Sequence, residues 1–409
     1  MKFLRYIFRP LLGIFFGAIL FLTSFFGNSV ITLILPILYL NRHQQWRLFI
    51  DRAISFWIVI PVTFLEYIFG MKFKITGDTI DYDRPAVIIM NHRTRLDWMY
   101  FWAALFKMNP WLLISSKIAL KAELRRIPAA GFGMEANQFI FLDRKIKTDK
   151  ERISEAIHYY ASVGSNYQIL LFPEGTDKTP NTTMKSNMYA KKNGLKQLNN
   201  LIYPRSAGLI HFINEMRRHN YIECIYDVTI AYPVNIVQSE VSLILSGRTP
   251  QKVLFHIERI DLSYVPLEDH DIAQWINELW IAKDEKLDLF YSQQPPRVHF
   301  PNDKNKFVWE DDNSLQKTVK LFILSCWLSL TLFWFYYLTF LRFVQVLFGY
   351  FIFAYAYING KYGGIQRMVY VKWWHSLEAE TVVHRKTNMI QDCQNKEMIE
   401  KNVQICRLN

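Results

Sequence analysis

Two side chains five residues apart, His92 and Asp97, carry the strongest chemical signal in this chain. They stand in the run Asn91-His92-Arg93-Thr94-Arg95-Leu96-Asp97-Trp98, directly after the all-apolar Ala86-Val87-Ile88-Ile89-Met90. A histidine held in one tautomer by a carboxylate is a general-base arrangement, able to take a proton from a hydroxyl near neutral pH. On a continuous helix a spacing of five places two residues about 140° apart. The pair therefore meets only if His92 lies in a turn and Asp97 in the first turn of the helix that follows. A carboxylate there is favoured by the helix N-terminus, and it equally suits a plain cap of the helix beginning near Trp98.

A second constellation follows another apolar run. Gln168-Ile169-Leu170-Leu171-Phe172 leads into Pro173-Glu174-Gly175-Thr176-Asp177. Pro173 ends the strand and Gly175 permits a tight turn, whose backbone N–H groups can receive a phosphate or an oxyanion. Thr176 adds a hydroxyl, and Glu174 is expected to meet a glycerol hydroxyl or else to be an ordinary solvated turn residue. Arg144, after Phe139-Ile140-Phe141-Leu142-Asp143, offers bidentate phosphate recognition. The basic residues after it, Lys147 to Arg152, read as a solvated helix face. Lys117 and Lys121 either face phosphates or lie on the surface. There is no G-x-S-x-G elbow and no Walker A loop, so direct attack by a substrate hydroxyl is simpler chemistry than a covalent intermediate.

These polar groups gather just past the ends of short apolar runs: Ala86–Met90, Trp111–Ile114, Gln138–Leu142, Gln168–Phe172, Val228–Tyr232 and Val253–Ile257. Helical patterns such as Trp98–Leu105 and Ile272–Phe290 alternate with them. Short, nearly all-apolar strands separated by helices predict an α/β fold with a central sheet buried on both faces, whose ligands bind at the carboxyl ends of the strands.

The 409 residues exceed one ordinary core, and the 51% of apolar residues cluster in blocks rather than spreading evenly. The first block, Leu11 to Leu40, is too long for a signal-peptide core and reads as an uncleaved anchor. With basic residues on both flanks, a re-entrant hairpin and a single span fit equally. Ile54 to Met71, carrying Glu66, suits an interfacial amphipathic helix. Leu321 to Ile358, broken at Arg342, suits a hairpin of two membrane helices. The expected organisation is an N-terminal membrane region over 1–71, a catalytic domain over 72–305, a C-terminal membrane hairpin over 306–374 and a polar tail over 375–409. The net charge of +12 is spread along the flanks of apolar runs and in short central clusters. That favours a membrane surface and phosphorylated ligands over nucleic acid. The four cysteines show no CxxC spacing, so neither a disulfide framework nor a metal site is expected.

Taken together, the motifs resemble those of the glycerolipid acyltransferase family, which includes the 1-acylglycerol-3-phosphate acyltransferases. Asn91-His92 with Asp97 resembles its first motif, and Phe141-Leu142-Asp143-Arg144 its arginine motif. Phe172-Pro173-Glu174-Gly175-Thr176 resembles the third, and Val228-Thr229-Ile230-Ala231-Tyr232-Pro233 the fourth, all in the family's order. The runs through Asp177, Ala190-Lys191-Lys192-Asn193-Gly194-Leu195 and Pro204-Arg205 look like the lysocardiolipin acyltransferase branch. Asp177 stands where phosphatidic-acid-making members usually carry Arg, which fits a larger headgroup. The resemblance implies transfer of an acyl group from acyl-CoA, a co-substrate rather than a cofactor, to a lysophospholipid. Lysocardiolipin or lysophosphatidylinositol is the implied acceptor, lysophosphatidic acid the alternative. It further implies His92 and Asp97 as catalytic residues and Arg144, Glu174, Gly175 and Thr176 at the glycerol phosphate. Asn91, Lys117 and Pro233 are candidate contacts to acyl-CoA or phosphate. The expected location is the endoplasmic reticulum membrane with the site facing the cytosol. The reading from a different class is a catalytically silent lipid-binding protein.

Overall fold

Apolar runs rich in β-branched residues pair into one sheet in the computed structural model, which describes residues 2–292, 300 and 307–378. Its strands are β1 (Lys72–Gly77), β2 (Ala86–Met90), β3 (Ser116–Lys121), β4 (Ile140–Leu142), β5 (Gln168–Leu171), β6 (Cys224–Ala231), β7 (Lys252–Asp261) and β8 (Phe307–Trp309). They lie in the order β4-β3-β5-β2-β6-β7-β1-β8. From β4 to β6 all neighbours are parallel. Then β7 runs antiparallel to β6, β1 parallel to β7, and β8 antiparallel to β1. The reversal has a geometric result. Ala231 at the end of β6 faces Leu254, and Lys72 faces Lys252, so β7 and β1 begin at the sheet edge where β2 and β6 end.

The helices are α1 (Lys2–Leu33), α2 (Leu35–Tyr39), α3 (His43–Thr63), α4 (Asp97–Met108), α5 (Leu112–Ser115), α6 (Ala130–Ala136), α7 (Ile146–Ser162), α8 (Pro180–Lys192), α9 (Ser206–Arg218), α10 (Glu240–Ser246), α11 (Asp269–Tyr291), α12 (Ser314–Phe340) and α13 (Arg342–Tyr362). A further helix, α14, covers residues 365–378. Alternate strand residues point to opposite cores, as the period-two geometry of a strand requires. Ile88, Met90, Val228, Ile230 and Phe255 join one core with residues of α3 and α4; Val87, Ile89, Ile169, Ile225 and Leu254 join another with residues of α7, α9, α11 and α14. The α/β class with a doubly covered sheet is thus the observed one.

Local departures have physical reasons. Trp111–Ile114, expected as a strand, turns helical in α5 because it follows Asn109-Pro110, whose turn bonds continue into the helix; the strand starts at Ser116. β1 alternates Lys, Phe, Lys and Ile and lacks the continuous apolar run of the central strands. β8, beyond the expected domain end at residue 305, pairs with β1 at the sheet's edge. The boundary itself and residues 379–409 lie outside the described residues, as do Cys393 and Cys406.

Among the described residues four helical segments, Phe8–Tyr39, His43–Ile68, Ser314–Phe340 and Arg342–Tyr362, are long and apolar enough to cross a membrane. The first apolar block is not a hairpin within itself. It is one continuous helix to Leu33, with Asn28 donating to the Ala129 carbonyl at 3.0 Å and Gly27 facing Trp327. The turn comes at Leu40-Asn41-Arg42, and the return leg is α3. The block Ile54 to Met71 does not keep its charge in water as an interfacial helix would: the Glu66 side chain is 6% exposed and pairs with Lys107 at 2.8 Å and with Lys320. Earlier in α3, Arg47 is fully buried, bonded to Asp51, to the Ala136 carbonyl at 2.7 Å and to Tyr167 at 3.2 Å. Those charges face the sheet domain, not solvent. The third block forms two helices, as expected, meeting at Leu341.

Candidate active site

The chain leaves β2 at Met90, and Asn91 holds it in place. The Asn91 side-chain amide donates to the Ile230 carbonyl at 3.2 Å and its oxygen accepts from Ile230 N at 2.8 Å. Both its polar atoms are thus spent on locking β2 to β6, so Asn91 does not face a ligand. His92 follows in the turn, and Asp97 opens α4, the geometry that the spacing demands.

Asp97 is fully buried and accepts five hydrogen bonds. Oδ2 receives His92 Nδ1 at 3.0 Å, Arg93 N at 2.6 Å and Thr94 N at 2.9 Å; Oδ1 receives the Thr94 hydroxyl at 2.8 Å and the Tyr232 hydroxyl. Its bonds run back into the turn, so it fixes the loop that carries His92 instead of merely capping α4. Because Asp97 accepts at Nδ1, that nitrogen carries the proton and Nε2 keeps its lone pair. The ring stacks on Phe172, with centroids 4.1 Å apart, and its side chain is 17% exposed. Among the described residues Nε2 has no hydrogen-bond partner. Such an imidazole is oriented, desolvated on one face and open at its basic atom.

Glu174 was expected at a substrate hydroxyl. It lies underneath instead, 2% exposed, with Oε1 accepting from His92 N and from the Trp280 indole, each at 3.2 Å. Burial pushes its carboxyl up to about 8, against the bonds from His92 and Trp280 that favour the anion. Its other oxygen, Oε2, has no partner among the described residues.

Gly175, at φ +72°, makes the turn above Glu174, donating to the Phe172 carbonyl at 2.9 Å. Arg144, exposed and itself at φ +63°, donates from Nη2 to the Gly175 carbonyl at 2.8 Å. From the other side the Arg205 side chain comes within 3.3 Å of where a Gly175 Cβ would stand. Thr176 is half-buried beside them, bonded to Asp177 at 3.4 Å. The structure thus brings His92, Asp97, Arg144, Glu174, Gly175 and Thr176 to one sheet edge.

Two other candidates fall elsewhere. Lys117 sits near the start of β3, at the opposite edge, fully buried, with Nζ bonded to Asp51 and Asn137 at 2.8 Å each. Burial lowers it to about 7 in spite of Asp51. It is a core residue holding α3 to the sheet, neither a phosphate contact nor a surface lysine. Pro233 is half-buried at the end of β6, beside His92's turn but without a polar atom to offer a ligand beyond its carbonyl.

Sequence reasoning missed Thr94, Phe172, Tyr232 and Trp280 as parts of this site. Tyr232 had a usable signal, since it lies in the fourth motif at the end of a strand adjoining β2. Trp280, 106 residues from Glu174, had none.

A family profile described as "Acyltransferase" matches residues 72–234, and one described as "Acyltransferase C-terminus" matches residues 243–320. The chain is 47% identical over 371 residues to Lysophosphatidylinositol acyltransferase 10 of Caenorhabditis elegans, covering 90% of this chain and 95% of that one. It is 39% identical over 280 residues to Lysocardiolipin acyltransferase 1 of Gallus gallus, covering 68% and 73%. To the Probable 1-acyl-sn-glycerol-3-phosphate acyltransferase 5 of Arabidopsis thaliana it is 30% identical over 247 residues, covering 60% and 63%. The chain belongs to this acyltransferase family and is an enzyme that transfers acyl groups.

Proposed function

We propose that the protein transfers a fatty acyl group from acyl-CoA to the free hydroxyl of a lysophospholipid, with lysophosphatidylinositol as the acceptor. The observation that carries the chemistry is the five-bonded Asp97 holding His92 with Nε2 open. His92 Nε2 takes the hydroxyl proton, the oxygen attacks the thioester carbonyl, and the C–S bond breaks to release CoA. Donors of the 173–177 turn stabilise the oxyanion. Arg144 and the Thr176 hydroxyl hold the phosphate, and Glu174 works one layer down by fixing the His92 backbone. A serine or cysteine nucleophile is not needed, because the acceptor supplies its own.

The acceptor follows from the similarity to the nematode protein over nearly the full length of both chains. Lysocardiolipin is the second reading, favoured by the avian relative. Asp177 supports a headgroup larger than a bare phosphate at this edge. Its carboxylate accepts from Gln238 at 2.9 Å and has Arg95 at 3.9 Å, so Arg95 is engaged by a carboxylate and not offered to the second charge of a terminal phosphate monoester.

The test is transfer of labelled acyl-CoA to a panel of lysophospholipids by purified protein. His92→Ala is expected to remove turnover while the protein stays folded; a wild-type rate in the variant would overturn the assignment. A folded wild type inactive on every acceptor would point to the silent lipid-binding class.

The four apolar helices support residence in a membrane, and we place it in the endoplasmic reticulum with the site facing the cytosol, where acyl-CoA is made available. Asn181 of the sequon Asn181-Thr182-Thr183 is exposed near the start of α8, not far along the chain from the Glu174 turn. It is expected to carry no glycan. An endoglycosidase-sensitive mass on Asn181 would put the site in the lumen.

A further inference from the structure

Beside the catalytic turn the structure contains a groove of about 1050 Å³ that the chemistry above does not use. One wall is the first turns of α1, with Phe8, Leu11, Leu12 and Phe15. The floor is Ile68, Phe69 and Gly70, where the chain enters β1. The other wall is the loops that end β6 and begin β7, with Val234 and Asn235 on one and Thr249 and Gln251 on the other.

Its position follows from the sheet. β2, β6, β7 and β1 are successive neighbours, and the reversal brings the starts of β7 and β1 to the edge where β2 delivers His92. At about 4.8 Å per strand, the groove lies some 10–14 Å along that edge from the base. The loop between the two sites is shared. Gln238 accepts from Arg95 N through its carbonyl at 3.2 Å, and its side-chain amide donates to the Arg93 carbonyl at 3.2 Å. The segment from Pro233 to Gln238 therefore walls the groove at one end and braces His92's turn at the other.

The groove is also rigid. Gly13 packs so closely on α10 that a Cβ there would stand 2.4 Å from the Ile244 carbonyl oxygen. Gly247, at φ +59°, approaches the Arg9 carbonyl so closely that a Cβ would overlap it at 1.8 Å. Asn235 ties both loops, donating to the Thr249 carbonyl at 3.0 Å and accepting from Gln251 N at 2.9 Å.

Its chemistry is that of an anionic amphiphile. Phe8, Leu11, Phe15 and Val234 are each more than half exposed, and they continue onto Val241 and Leu245 of α10, which are exposed as well. An uncovered apolar surface of this kind, beginning on α1, a helix able to cross a membrane, belongs against lipid. Among the described residues no carboxylate lines the groove, and Arg9 and Lys72 stand at it with no acidic partner. Lys252 is also there, paired with Glu310 at 3.0 Å.

We propose that this groove is the port by which the lysophospholipid acceptor leaves the bilayer. Its fatty chain lies on Phe8, Leu12, Phe15 and Ile68, and its anionic headgroup is drawn past Arg9 and Lys72 toward His92. The proposal rests on the acyltransferase reading above and names the acceptor's path. The two cations unpaired among the described residues suit one phosphodiester, whereas the CoA head carries several phosphates and an adenine.

Val234→Trp fills the mouth of the groove from an exposed loop position and should raise the KM for lysophosphatidylinositol about tenfold, leaving the KM for acyl-CoA within twofold. Arg9→Gln with Lys72→Gln should do the same and flatten the salt dependence of acceptor KM. Leu267→Trp, exposed and beyond the far end of β7 from the groove, is the control and should change neither constant. A rise confined to acyl-CoA KM, or no rise at all, overturns the proposal. A second measurement is independent of turnover. Lysophosphatidylinositol carrying a diazirine in its fatty chain is photolysed on the folded His92→Ala protein in nanodiscs. Label on residues 8–15 or 234–235 supports the port. Label confined elsewhere refutes it, even if the wild type is active. Label in the groove of a protein whose wild type transfers nothing keeps the port and removes the acyltransferase reading.

Discussion

At the catalytic pair, Tyr232 and Asp97 share a hydrogen bond through which a buried residue influences the base. Its phenol is fully buried, and burial together with the neighbouring Asp97 charge holds its pKa well above the usual tyrosine range, so it stays a donor. Tyr232→Phe removes that donor without changing the side chain's shape. A hydrogen bond to a charged group contributes about 1.5–3 kcal/mol, and 1.4 kcal/mol is tenfold in rate. A fall in kcat of roughly tenfold is expected, with both KM values kept. A kcat kept within about twofold would assign Tyr232 a packing role only. Glu174 gives a second prediction. Its folded pKa of about 8 stands above the ordinary 4.5, so between those values the folded state holds a proton that the unfolded chain has released. Its contribution to stability therefore declines as pH rises across that window. Glu174→Gln should match the wild-type melting temperature near pH 5, gain on it up to about pH 8 and level off above that. A constant difference would show the carboxyl ionised throughout.

Between single residues and the whole, the elements show where sequence patterns inform and where they stop. The apolar runs at Ala86–Met90 and Gln168–Phe172 announce their strands because both faces are buried, and a spacing of five announces the turn-plus-helix that joins His92 to Asp97. Lys117 was opaque for the opposite reason. A lysine in an alternating stretch looks like a surface residue, and only the arrival of Asp51 from α3, 66 residues earlier, makes its burial tolerable. The same holds for the charges that seat the C-terminal hairpin. Asp312, just before α12, accepts from Lys107 at 2.9 Å, Lys320 at 2.6 Å and the Tyr67 hydroxyl at 2.6 Å, while Glu66 pairs with both lysines. Glu66 had suggested an interfacial helix because its partners, 41 and 254 residues away, are invisible to local pattern. Asp312→Ala leaves two buried ammonium groups on one carboxylate. It should destabilise the protein by about 3–5 kcal/mol, read as a lowered denaturant midpoint in detergent. A change within 0.5 kcal/mol would mean the hairpin is held by packing alone.

For the molecule as a whole, the contact of α1 with α10 bears on how the site would stand against a membrane. Carbonyls of Leu243, Ile244 and Arg9 come so near Gly13 and Gly247 that neither helix can slide past the other. α1 is thus a strut and not a leash: where it is set in a bilayer, as its length and apolar character allow, His92 is held at one height relative to that bilayer. Chemistry at a fixed height selects its substrate by depth. A hydroxyl carried at the glycerol level reaches the base, while the same group held further into the water or buried among the chains stays out of register, whatever its intrinsic reactivity.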